Sequence, residues 1–198
     1  MGLDNEYITG QTPLDEDEKE GLLIKFINTR DDLNGVEQQN IEEAILWTLK
    51  RNFKPDQVFT EVFIKDLHKR MFGQVWSWAG AYRKTNKNIG VDKWEIPVQV
   101  NILLQDALFW IRHQTFEPDE LAIRFKHRLV SIHCFANGNG RHSRLMADII
   151  VSKLFGRPVF TWGAFIEPEK PDVRQTYLGA LRNADKGDLK SLVSFGRQ

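Results

Sequence analysis

Residues 133–144 read HCFANGNGRHSR, and the rest of the chain is organised around them. Gly138, Asn139 and Gly140 permit a tight turn that gathers several backbone N–H groups toward one point. A helix beginning at that turn adds its unpaired N-terminal N–H groups and the positive end of its dipole. Arg141 and Arg144, three residues apart, share one face of such a helix and can both reach a polyphosphate. His133 stands just before the turn, where a neutral imidazole can take a proton from a group approaching that phosphate. The flanks agree. An apolar stripe of Leu121, Ala122, Phe125, Leu129, Val130 and Ile132 runs into His133, with Pro118 at a helix-opening position. Beyond the turn, Leu145, Met146, Ile149, Ile150 and Leu154 make a second apolar face that Gly156 and Pro158 end. The stretch predicts a helix–loop–helix with its polar groups at the mouth of two packed helices.

The same residues resemble the signature of the Fic family, H-x-F-x-[DE]-G-N-G-R-x-x-R. His133, Phe135, Gly138, Asn139, Gly140, Arg141 and Arg144 match it, and Asn137 stands where the family has Asp or Glu. Residues 76–91 (WSWAGAYRKTNKNIGV) are similar to the family's lead into a β-hairpin flap, and residues 177–195 (YLGALRNADKGDLKSLVSF) to its closing helices. With TPLDEDEKEGL at 12–22 and FTWG at 160–163, the chain resembles the subgroup called mobile mystery protein B. The resemblance implies a mainly α fold, a Fic-type helical bundle with a short β-hairpin flap. It implies a single domain over residues 1–198, with an N-terminal helical extension over about 1–55 and a core over about 56–198.

The chemistry implied by the resemblance is protein adenylyl transfer: AMP passes from ATP to a Ser, Thr or Tyr hydroxyl of a target protein. His133 is then the general base, Gly138, Asn139 and Gly140 the anion hole, and Arg141 and Arg144 the phosphate ligands. The family's acidic residue holds a divalent ion; here Asn137 offers Mg²⁺ or Mn²⁺ a neutral oxygen, so metal affinity is expected to fall. The flap registers an extended target segment by strand pairing. Ile89, Gly90 and Val91, within residues 86–96, are the candidates for that contact, with Ile89 and Val91 either clamping the target or anchoring the hairpin. Many relatives are restrained by a helix carrying [ST]-x-x-x-E-[GN]. Glu20-Gly21 supplies its end, but Glu16 fills the Ser/Thr place; Thr12 precedes Glu16 correctly, but Asp17 follows. A separate inhibitory partner, antitoxin-like or a helix-turn-helix protein, is therefore the alternative to internal inhibition. Two other functions stand beside adenylyl transfer. Asn137 suits a nucleotide-binding regulator with little or no turnover. A Doc-like phosphotransferase is disfavoured, because that branch carries lysine where this chain has Gly140.

Composition narrows the rest. With 198 residues, 41% of them hydrophobic, the chain can bury one substantial core. Its 27 basic and 27 acidic side chains cancel, so no global field favours direct nucleic-acid or membrane binding. The one cysteine, Cys134, excludes an intrachain disulfide and a cysteine-based zinc site, and reads as a small buried filler. The opening residues carry no basic-then-apolar leader, which gives a cytoplasmic expectation. Periodicity predicts helices over 40–51, 60–72 and 98–113. Residues 88–91 and 94–98 are expected to pair as a hairpin across Asp92-Lys93. Trp76 and Trp78 read as core anchors, His127 as structural and His142 as a helix-surface residue.

Overall fold

Helix starts in this chain are written in side chains that satisfy orphan N–H groups. In the computed structural model, which describes residues 15–24, 27, 29–164 and 173–198, Thr29 caps helix α2 (Arg30–Leu49) by accepting from the Asp32 N–H, and Asp32 answers on the Thr29 N–H. Thr60 caps α4 (Glu61–Phe72) through the Phe63 N–H. Proline opens three others: α3 (Pro55–Val58), α5 (Ile96–Arg112) and α6 (Pro118–Ile132). A short α1 (Glu16–Lys19) precedes them; α7 (Asn139–Ile149), which runs into a π turn (Ile150–Leu154), α8 (Val173–Asp185) and α9 (Lys190–Arg197) follow. Thr12 and the segment before Asp15 lie outside the described residues, so the Thr12 spacing is not placed here.

The fold is mainly helical, and its centre is the α6–α7 pair that the 133–144 stretch predicts. Helix α6 packs on α5 and α9 as well, α2 lies against α4, and α8 against α9. Leu121, Phe125, Leu129, Phe135, Met146 and Ile150 form the fully enclosed centre. Cys134 is buried among them, and its desolvated thiol is pushed up to about 12, so it is an inert filler as expected.

Three expectations are corrected. Helix α2 begins ten residues earlier than position 40, and only one side of it is covered, with Leu46 and Leu49 exposed. His142 lies fully buried, donating from Nε2 to the Ile64 carbonyl at 3.0 Å, with its ring edge-on to Phe135. The hairpin does not form. Residues 88–91 are a bend, 93–95 a turn, and α5 starts at Ile96 with Pro97 in its first turn. Pro97 lacks the N–H a ladder would need. Asp92 and Asn86 close the loop instead: the Trp94 N–H and the Asn86 amide donate to Asp92, and the Lys93 N–H to Asn86. Among the described residues the only extended pairing is a single antiparallel bridge between Leu22 and Trp76.

Candidate active site

Helix α6 ends on His133 itself, which takes the left-handed conformation at φ +55°. Few side chains other than glycine, asparagine, aspartate and histidine adopt that region readily. Arg83 holds it there. Its Nε donates to the His133 carbonyl at 2.6 Å, its Nη1 to the Thr85 carbonyl at 2.7 Å, and its Nη2 to the Val91 carbonyl. The Val91 N–H donates in turn to the Ile132 carbonyl at 3.3 Å. One guanidinium thus ties residues 85–91 to the end of α6. Gly90, at φ +98°, lies so close that a Cβ there would sit 2.6 Å from the His133 Cβ. The sequence singled out Gly90 for target contact; its glycine identity is explained by this approach to His133.

The imidazole is only 5% exposed and borders a cavity of about 810 Å³. Burial, and then the charge of Arg83, push its pKa down to about 4, against a small opposing effect of a backbone hydrogen bond at Val130. The ring is neutral at pH 7 and able to accept a proton.

Across the cavity mouth the turn closes as expected. Gly138 caps α7 at φ +77°, where a Cβ would strike the Phe72 ring at 2.5 Å. The N–H groups of Asn139, Gly140 and Arg141 have no acceptor within the helix and face its N-terminal end. The Asn139 side chain is occupied otherwise: it accepts from the Phe135 N–H at 2.9 Å and donates to the Phe135 carbonyl at 2.8 Å. This clasp fixes the width of the turn, so Asn139 brings its backbone, not its amide, to the cavity. Gly140 has open space where a side chain would begin.

Asn137 is held at both ends. Its amide oxygen accepts from the Gly138 N–H at 2.6 Å, and its carbonyl from His68 Nε2 at 3.0 Å. Because the Gly80 N–H donates to His68 Nδ1, the proton sits on Nε2. Among the described residues no group of three or more His, Cys, Asp or Glu side chains gathers to hold a metal. Asn137 supplies a single neutral oxygen, which fits an ion carried mainly by phosphate oxygens and water, not an all-protein site.

The two arginines differ. Arg141 pairs with Glu37 at 2.6 Å and lies over the Phe72 ring, whereas Arg144 makes no salt bridge among the described residues and stands over the Tyr177 ring at 5.8 Å. Tyr177, Leu178 and Leu181 of α8 continue the cavity as an apolar wall, with Arg182 and Asp185 at its rim. Ile89 lines it from the other side and is half exposed, while Val91 packs against the core. His127, read as structural, bonds to Asp185 at 2.8 Å. Below Tyr177, the fully buried Lys126 bonds to the Tyr177 hydroxyl at 2.6 Å.

Sequence reasoning brought together His133, Asn137, Gly138, Asn139, Gly140, Arg141 and Arg144, and all seven border one cavity. It missed the roles of Glu37, His68, Arg83 and Lys126. Arg83 lay within a stretch already singled out, but its partners are three carbonyls that no spacing announces. Glu37 is 104 residues from Arg141, too far for any local pattern.

Known proteins of similar sequence and fold point to a family. The model of the Fic/DOC family matches residues 58–151. The protein adenylyltransferase Fic of Drosophila grimshawi is 30% identical over 142 residues, 68% of this chain and 28% of that protein. The corresponding Caenorhabditis elegans protein is 29% identical over 136 residues, 67% of this chain and 25% of its own length. The chain thus spans about a quarter of the length of these curated relatives. Among solved structures, the N-terminal Fic domain of a VirB-translocated Bep effector from Bartonella quintana superposes with a TM-score of 0.68 at 16% identity, covering 91% of each chain. Bartonella BepC with bound AMPPNP gives 0.65 at 15% identity, covering 92% of this chain and 97% of the other. The left-handed histidine, the glycine-capped helix and the paired arginines therefore lie at the heart of a Fic/DOC family domain formed by residues 58–151.

Proposed function

We propose that this protein transfers AMP from ATP to a Ser, Thr or Tyr hydroxyl of a target protein. The observation that carries the reading is a neutral, buried histidine on the same cavity as a free helix N-terminus and two arginines. The target oxygen attacks the α-phosphorus, its proton passes to the His133 ring, and the bond to the bridging oxygen of the β-phosphate breaks, releasing pyrophosphate. The N–H groups of Asn139, Gly140 and Arg141 stabilise the α-phosphate oxygens, and Arg141 and Arg144 carry the charge of the leaving group. Asn137 would be the one protein ligand of a Mg²⁺ or Mn²⁺ ion brought by ATP; such an ion neutralises phosphate charge. Curated relatives named protein adenylyltransferase, and a fold neighbour holding AMPPNP, support the assignment.

Residues 85–91, pinned beside His133, are the proposed docking edge for the target, with Ile89 as its exposed apolar contact. A separate antitoxin-like or helix-turn-helix partner remains our reading for restraint. Among the described residues no helix is long and apolar enough to cross a membrane. The regulator reading is favoured by one feature only, the uncharged Asn137.

The deciding experiment offers α-labelled and γ-labelled ATP to the purified protein with cell lysate, under Mg²⁺ and Mn²⁺. Label entering protein only from the α-position is expected. Label from the γ-position would mean phosphate transfer, for which the open space at Gly140 is no advantage. Label from neither, with ATP still bound, would favour the regulator, and Asn137→Asp would then be compared.

The depressed pKa of His133 also fixes a pH profile. Its neutral form prevails from pH 8 down to about 5, so kcat/KM is expected to be flat there and to fall with a midpoint near 4. An acid limb near 6.5 would show a solvated ring in the working enzyme and sink the buried-base assignment.

A further inference from the structure

Glu37 lies on α2, outside the residues matched by the family model, yet its carboxylate pairs with Arg141, which lines the cavity. It is 3% exposed, and both oxygens are used: Oε1 accepts from Trp76 Nε1 at 2.6 Å and Oε2 from Arg141 Nη1 at 2.6 Å. Trp76 is itself only 1% exposed and stacks on Trp78. The carboxylate is therefore fixed from behind by a rigid indole and presents one oxygen to the arginine. A guanidinium has five N–H donors in a planar fork. With Nη1 committed to Glu37 and its face against Phe72, Arg141 loses the freedom of its long side chain while its other donors remain for an anion. Among the described residues Arg144 has no such clamp.

We propose that Glu37, held by Trp76, is a positioning residue that aims Arg141 at the phosphate chain of the nucleotide. This rests on the cavity taking a polyphosphate, as the AMP-transfer reading requires. The arrangement makes an unusual electrostatic demand. A buried negative charge beside an anion site weakens anion binding by Coulomb repulsion, so its removal would tighten binding if charge alone mattered. If aim matters more, removal weakens it.

The test is a double-mutant cycle on the full chain: wild type, Glu37→Ala, Arg141→Ala and the double variant, with AMPPNP affinity read by calorimetry. Glu37→Ala and Arg141→Ala are each expected to weaken AMPPNP by about tenfold, and the double variant by no more than either alone. Trp76→Phe, which keeps an aromatic side chain but removes the indole N–H and part of its volume, is expected to lie between wild type and Glu37→Ala. Thermal melts of every variant separate loss of aim from loss of fold. Tighter binding in Glu37→Ala, or losses that simply multiply in the double variant, would overturn the proposal. Wild-type label transfer is measured alongside. If the α-label fails to transfer while the cycle shows coupling, the AMP-transfer reading falls and the positioning role stands.

Discussion

His133→Ala is expected to lower AMP transfer by about 10²–10⁴-fold, the usual contribution of a positioned general base. ATP affinity should change little, because the phosphate-facing donors belong to α7 and not to the imidazole. The fold should survive as well. Arg83 grips the His133 main-chain carbonyl, which alanine retains. Alanine is less at ease than histidine at φ +55°, at a cost on the order of 1 kcal/mol. His133→Asn, whose side chain suits left-handed backbone, is therefore the companion variant. Single-turnover transfer and AMPPNP binding would be measured for both. Transfer within a few-fold of wild type would remove His133 from the mechanism. Loss of AMPPNP binding in both variants would instead make it a nucleotide ligand.

The second large effect concerns stability and has an uncommon sign. Lys126 is fully buried, with its ammonium position against the Tyr177 hydroxyl, and burial followed by the charge of Arg144 pushes its pKa down to about 7. An unfolded lysine titrates at 10.5, so between those values the unfolded chain binds the extra proton and stability rises with pH. The penalty is complete below pH 7 and gone above about 10.5; at pH 7 it amounts to roughly 4 kcal/mol. Lys126→Met removes it but leaves the Tyr177 hydroxyl without its partner, costing about 1–3 kcal/mol. The variant should be more stable than wild type by about 2 kcal/mol at pH 7, raising Tm by about 4–8 °C. Near pH 10 the order should reverse. Urea midpoints at pH 7 and pH 10 check this. A variant less stable at both would show that Lys126 is charged and well solvated in the native state.

What the sequence revealed was local. The 133–144 loop carries its own instructions, since glycines, a helix dipole and paired arginines act within a dozen residues of one another. Its flanking helices were equally legible from their apolar stripes. The 88–98 stretch misled because Ile89, Val91, Trp94, Ile96 and Val98 alternate like strand residues. The alternation is broken in function by Pro97 and by the Asn86–Asp92 closure, which favours a turn into α5. His142 reads as a helix-surface residue because it follows Arg141 and points away from the side of His133. One carbonyl, that of Ile64, satisfies a ring nitrogen and makes its burial tolerable, and nothing near His142 in sequence announces that carbonyl. Glu37 and Lys126 escaped for the same reason: each acts through a partner on a different helix.

Arg83 carries one more implication. Its side chain fixes carbonyls at Thr85, Val91 and His133, so the position of the loop beside His133 is set at its two ends. A strand ladder would have committed every second residue between them to a partner. Here Asn86 is tied to Asp92 and Lys87 to Asp15 and Glu18, which leaves Asn88 and Ile89 exposed at the tip. In the proposed docking edge the exchangeable part is thus the tip, Asn88 and Ile89, where partner choice can be rewritten while the frame around His133 keeps its shape.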